Sequence, residues 1–243
     1  MIKAFWYELR RFVFSWFFLI MLLANLVYAW YTFTTDIIQG IAYTAPFSVW
    51  SFCTFAGKIL PFEIAAILLI QAQYYSKQQK TAEKLILAAP VTDTQIQFIR
   101  CAVLFASFII FVVLTSAVNI IFFMCCFHYY SFSDYFLPCI LVTVPCFVFI
   151  SSLGSLLGRI HQSLIYLLII ISFALGFAGS TGAYDLFGSR FFSSYPLTLP
   201  VNNDGEPDFT YNVIWLAARG CYVIFGIIFM AVNIRWKNKP RLA

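Results

Sequence analysis

The sequence predicts an all-α integral membrane protein, and three observations lead there. Only 10% of the 243 residues are charged, against roughly a quarter in an ordinary soluble domain, while 62% are hydrophobic and 20% aromatic. Six apolar segments are long enough, or nearly so, to cross a bilayer. The basic residues gather at segment ends on one side of the resulting topology. A chain with so little polar surface has lipid as its solvent, and residues 1–243 read as a single transmembrane domain rather than several globular units.

The opening stretch, MIKAFWYELRRFV, splits at 100° per residue into an apolar face (Ile2, Phe5, Trp6, Leu9, Phe12, Val13) and a polar one (Lys3, Tyr7, Glu8, Arg10, Arg11). That predicts a helix lying along the cytoplasmic interface, with Lys3, Trp6, Arg10 and Arg11 as its interfacial residues. A plain topological anchor with a basic flank is the alternative. The first span is expected over 12–32; its apolar run exceeds a signal-peptide core and no convincing cleavage site follows, so it should remain as an anchor. The second, over 59–75, is short and can begin earlier, because FSVWSFCTFAG before it is also apolar. The remaining spans are expected over 101–127, 135–157, 163–180 and 211–234, the fifth again short. Aromatic residues at Trp30 and Tyr31, Tyr74 and Tyr75, Tyr129 and Tyr130, and Trp236 mark membrane ends.

With a cytoplasmic amino terminus, twelve basic residues fall inside: Lys3, Arg10, Arg11, Lys77, Lys80, Lys84, Arg100, Arg159, Arg235, Lys237, Lys239 and Arg241. Outside there is Arg190, with Lys58 and Arg219 at or within the membrane. This bias predicts a multi-pass protein of the cell membrane with both termini cytoplasmic. Because the positive charge sits at span ends rather than on one polar surface, it marks topology and not a nucleic-acid partner. Between the fifth and sixth spans, VNNDGEPD reads as a solvated turn, whereas LFGSRFFSSYPL is too apolar for an exposed loop and should pack on or dip into the outer leaflet.

A polar island, KTAEKLILAAPVTDTQIQFIR, interrupts the apolar run between the second and third spans. Residues 76–89 form a helix pattern with Lys77, Lys80 and Lys84 on one side, and Pro90 ends it. Thr92 and Gln95 then have capping-box spacing, so a fresh helix should start there and run into the third span. The island thus offers a short helix to the cytoplasm.

Thr81, Glu83, the run Leu85, Ile86 and Leu87, then Pro90, Val91, Thr92, Gln95, Ile96 and Arg100 resemble the loop between the second and third spans of type-two (export-type) ABC transporter permeases. In that family the loop is a coupling helix seated in a groove of a cytoplasmic ATPase. The resemblance makes Lys80, Thr81, Glu83, Lys84, Leu85, Pro90 and Val91 the ATPase-coupling residues. It extends to the six spans, the interfacial helix and the hydrophobic outer hairpin. The chain departs from the pattern at Lys80, where a glycine is common, at Asp93, where a basic residue is frequent, and in a Thr-to-Pro spacing longer by one residue.

No G-x-x-x-x-G-K-[ST] loop is present, so the resemblance implies that ATP and magnesium bind a separate ATPase subunit, with no cofactor in this chain. It also implies a second six-span permease, the same chain or a related one. The few polar atoms in the spans, on Asn25, Gln71, Gln73, Asn119 and Arg219, suit an amphiphilic cargo such as a peptide, lipid or drug-like molecule, moved outward. A stand-alone ion-coupled carrier and an intramembrane enzyme are the rivals. The carrier would need inverted repeats and midplane acids; the enzyme would need paired acids, a Ser/His pair or a His/Glu metal cluster, and no catalytic or metal-ligating set is found.

Arg219 in the sixth span and Glu63 in the second are the intramembrane charged candidates. A lone charge at such depth costs about 2.5 to 3.5 kcal/mol, so each needs a partner or water. They are natural partners for one another, with Lys58 a competitor for Glu63 and a cargo contact the alternative. Gly154 and Gly158, with Ser151 and Ser155, predict close helix packing within the subunit or across a dimer. Gly176 and Gly179 allow a bend towards the outer hairpin. His128 and His161 fall near opposite faces and cannot share a metal. Most of the seven cysteines read as free thiols, with a Cys126–Cys139 bridge left open.

Overall fold

The computed structural model of the chain describes residues 2–76, 93–178, 182, 184–202 and 206–235. Among these the regular elements are helices, apart from an isolated bridge between Ile41 and Thr44. Five helices are long and apolar enough to cross a membrane, which fits an all-α, membrane-embedded protein.

The amphipathic stretch forms its own helix, α1 (Ile2–Val13), and the first long apolar helix, α2 (Trp16–Thr32), starts after a break at Phe14 and Ser15, not at residue 12. Ser15 makes that break: its hydroxyl donates to Phe12 O at 2.7 Å and accepts from Phe18 N–H at 3.2 Å, closing one helix and capping the next. The apolar face of α1 is divided. Phe5, Leu9, Phe12 and Val13 pack on the protein, while Ile2 and Trp6 stay 75% and 62% exposed, open to lipid, and Lys3, Arg10 and Arg11 are exposed as well. α2 continues through a π-helical turn, Phe33–Ile37, to 22 residues, which is ~33 Å at ~1.5 Å per residue.

α3 (Val49–Tyr74) begins at Val49 rather than at 59. Ser48 caps it, accepting from Ser51 N–H at 3.1 Å, and the aromatic run that follows is buried from Trp50 onward. Pro61 therefore lies mid-helix. The 35-residue α4 (Asp93–Phe127) is ~52 Å long, well over the ~30 Å of a hydrocarbon core. It is the helix expected to enter the third span; its expected cap, Thr92, lies outside the described residues, as do Trp236 and Gly179.

A 3-10 turn (Ser133–Tyr135) leads into α5 (Phe136–Ile160) and then α6 (Ser163–Ala178). α6 is described over 16 residues, ~24 Å, and residues 179–180 of the segment expected over 163–180 lie outside the described residues. The chain still traverses the length of α3 here. Gln162 Nε2 donates to Ala72 O at 3.1 Å near one end of α3, and past the other end Glu206 Oε1 accepts from Ala45 N–H at 2.8 Å and Pro207 O from Trp50 Nε1 at 3.2 Å. An apolar hairpin carrying the short helix α7 (Ser189–Ser194) and a 3-10 turn (Tyr195–Thr198) lies between these two points. Helix α8 (Val213–Arg235) then packs along α5.

α3 is the hub on which α2, α4, α5, α6 and α7 pack. Gly154 and Gly158 of α5 face it: a β-carbon would lie 2.7 Å from Gln71 Oε1 at the first and 2.5 Å from the Tyr75 ring at the second. This small-residue ridge is thus used inside the chain. It lets Gln71 Nε2 donate to Ser155 Oγ (2.6 Å) and Ser151 O (2.9 Å), and Tyr75 OH to Ser155 O (3.0 Å). Gln71→Leu should lower stability by about 1–2 kcal/mol, seen as an earlier thermal transition in detergent. An unchanged transition would mean these bonds are matched in the unfolded state.

Candidate functional site

Buried charge is costly in this environment, so the placement of each charged side chain shows which groups are fixed and which stay available. Glu63, 3% exposed on α3, meets α4: Thr115 Oγ1 lies 2.6 Å from its Oε1 and also 2.9 Å from Phe111 O. Beside it is a cavity of about 10 Å³ lined by Phe55, Ile59, Thr115, Ser116 and Thr143, room for a single water.

The expected pairing of Arg219 with Glu63 is not formed. Arg219 is 2% exposed; Nη1 donates to Leu186 O and Nη2 to Asp185 O at 2.9 Å, and the guanidinium stacks 4.6 Å over the Trp215 ring one turn earlier. Nor does Lys58 take Glu63; its Nζ sits 2.7 Å from Asp36 Oδ2. The reason is the hairpin, which dips to the depth of Arg219 and brings bare carbonyls there. Backbone at membrane depth must be satisfied within the protein. Arg219 supplies donors for two carbonyls, and the Asp185 carboxylate accepts from the N–H groups of Phe187, Arg190 and Phe191. Phe187, Phe191 and Phe192 are buried within the protein, and the hairpin backbone touches α3 so closely that a β-carbon at Gly57 would lie 2.6 Å from Ser189 N.

At the opposite end of α3 a second group of side chains gathers. Phe12 of α1 and Tyr74 of α3 have ring centroids 4.9 Å apart, and the Arg100 guanidinium of α4 lies 5.2 Å over the Tyr74 ring. Glu8 Oε1 is 3.7 Å from Arg11 Nη1 on the same face of α1. The amphipathic helix, which also packs directly on α4, therefore grips both stems of the segment 77–92, the end of α3 and the beginning of α4. The candidate coupling residues Lys80, Thr81, Glu83, Lys84, Leu85, Pro90 and Val91 all lie in that segment, outside the described residues.

Sequence reasoning missed Tyr74 as a stem contact and Asp185 as the hairpin's cap. An Asp ahead of Gly-Ser at the start of a helical stretch is a legible cap signal; the Tyr74 contact carries no such signature. His128, after α4, and His161, after α5, stand at separate helix ends, and all seven cysteines, Cys126 and Cys139 included, are free thiols. Among the described residues no three His, Cys, Asp or Glu side chains stand together as metal ligands. Comparison of the chain with models of known protein families, with characterised proteins and with solved structures finds no match.

Proposed function

We propose that the chain is the membrane-spanning permease subunit of an ATP-binding-cassette transporter, worked by a separate cytoplasmic ATPase and paired with a second permease copy or a related chain. The observation that carries this reading is the amphipathic helix clamped, through Phe12, Tyr74 and Arg100, onto both stems of the polar segment 77–92. A push on that segment from the water side is transmitted directly to α3 and α4, and to α1 at the interface. The polar island supplies the handle and the apolar interior suits an amphiphilic cargo moved outward.

Purification of the full chain from its own membranes in mild detergent should bring down a polypeptide carrying a G-x-x-x-x-G-K-[ST] loop. Glu83→Arg and Leu85→Asp should each reduce that recovery tenfold or more, on the order of 1.4 kcal/mol or above, while leaving membrane insertion intact. Cysteines at Lys3 and Lys84 should be labelled from the same side of the membrane. A chain that purifies alone and still transports would instead favour the ion-coupled carrier, for which the buried Glu63, with neither Lys58 nor Arg219 as its partner, is the specific support.

A further inference from the structure

Glu63 is buried midway along α3, and the hydrogen bonds around it do not close for a carboxylate. A carboxylate only accepts, so the 2.6 Å contact between its Oε1 and Thr115 Oγ1 would take the single hydroxyl proton of Thr115. That proton has a second claimant in the carbonyl oxygen of Phe111, 2.9 Å away and one turn back on α4. Both contacts become hydrogen bonds only when Glu63 is a neutral acid: Oε1–H donates to Thr115 Oγ1, and Thr115 donates to Phe111 O. The hydroxyl of Thr143 on α5 is likewise turned to its own helix, donating to Cys139 O at 2.7 Å. It therefore presents lone pairs, and no proton, to the small cavity that it shares with Glu63.

Among the described residues no positive charge stands against Glu63. Lys58, on the same helix, is held by Asp36, and Arg219 by the hairpin carbonyls. The titratable groups that face it from α5 are the thiols of Cys139 and Cys146. On α2, Tyr28 stacks on the neighbouring Phe62, and the charge it meets is that of Asp36. A carboxylate without a counter-ion at membrane depth is costly, and a carboxyl group escapes that cost by keeping its proton.

We propose that Glu63 is a proton-binding site within the membrane, holding one proton on Oε1 at neutral pH and exchanging it through the water-sized cavity at its side. The cavity, of about 10 Å³, has Thr115, Ser116 and Thr143 in its lining and holds one water, the acceptor when the proton leaves. Thr115 then turns its own hydroxyl proton from Phe111 O to the carboxylate, so the bond to Phe111 O breaks as the bond to Oε1 is kept. Asn119, ~6 Å further along the same face of α4, is fully buried with both amide atoms unpartnered among the described residues. It extends the polar line from Glu63 away from segment 77–92. The site does not depend on the permease reading: a failed ATPase pull-down leaves it standing, and its own failure leaves that reading untouched.

The test is infrared difference spectroscopy on the full chain at neutral pH in dodecyl maltoside, a detergent without carbonyl groups. Wild type minus Glu63→Gln should show the carbonyl stretch of one protonated carboxylic acid, and transfer to heavy water should shift that band down as its proton exchanges. Thr115→Val should move the band to higher frequency, because the acid loses its acceptor; this arm reports even where Glu63→Gln fails to fold. Carboxylate bands in place of the acid band would overturn the proposal, as would a band that heavy water never shifts. Replacement of the acid band by carboxylate bands on adding sodium chloride would overturn it in favour of a sodium ion as the occupant.

Discussion

Arg219→Ala is expected to lower the stability of the fold by on the order of 3–5 kcal/mol. Two effects combine. The carbonyls of Asp185 and Leu186 lose charge-assisted partners at a depth where water does not replace them. The truncation also leaves a hole beneath Trp215, whose ring Arg219 covers. The sign is diagnostic. If Arg219 were a lone snorkelling charge, its removal would relieve an insertion cost of about 2.5–3.5 kcal/mol and the protein would be no less stable. Arg219→Lys should fall between, because an ammonium keeps the charge but cannot reach two carbonyls with a planar fork. Thermal unfolding in detergent gives the magnitude, and new protease cuts within 184–202 would show that the hairpin is what comes loose.

The same helix carries a second large effect. Gly226→Leu should destabilise by about 3 kcal/mol or more, since even a β-carbon there would lie 2.7 Å from Val148 Cγ1 and 2.8 Å from its carbonyl oxygen. A backbone atom inside α5 cannot step aside, so α5 and α8 must separate along the most extensive helix pair in the structure. Gly220, nearly two turns earlier, faces open space with nothing within 4 Å of a β-carbon. Gly220→Ala should therefore stabilise by about 0.5–1 kcal/mol through helix propensity alone, whereas Gly226→Ala should destabilise. Opposite signs for one substitution on one helix, read as opposite shifts in unfolding temperature, would establish that α8 presents Gly226 to α5 and Gly220 to the membrane. Matching signs would place the helix in a different rotation.

Much of the architecture was legible because it rests on local pattern. The two-faced arrangement of Ile2 to Val13 forms a helix wherever it lies, and apolar runs of twenty residues leave few alternatives in lipid. Serine caps are local too, yet Ser15 and Ser48 sit within apolar runs that show no boundary, so the expected spans start too early in one case and too late in the other. The apolar hairpin was legible as a segment that could not be left in water. Its partner was not. Arg219 and the carbonyl of Asp185 are 34 residues apart, and no periodicity links a guanidinium to a distant peptide oxygen. Glu63, the one acid inside a span, looked like the answer to Arg219 because charge is the only pairing signal that a sequence displays.

The amino-acid sequence by itself determined the solvent of this protein, the amphipathic helix at its start and the small-residue ridge on α5, since each follows from composition or from spacing within one helical turn. Tertiary structure alone decided that Arg219 serves the hairpin, that Glu63 meets Thr115 and that α1 clamps both stems of segment 77–92. Those outcomes depend on which helix faces which, and helices of nearly uniform apolarity carry no face in their sequence to announce it.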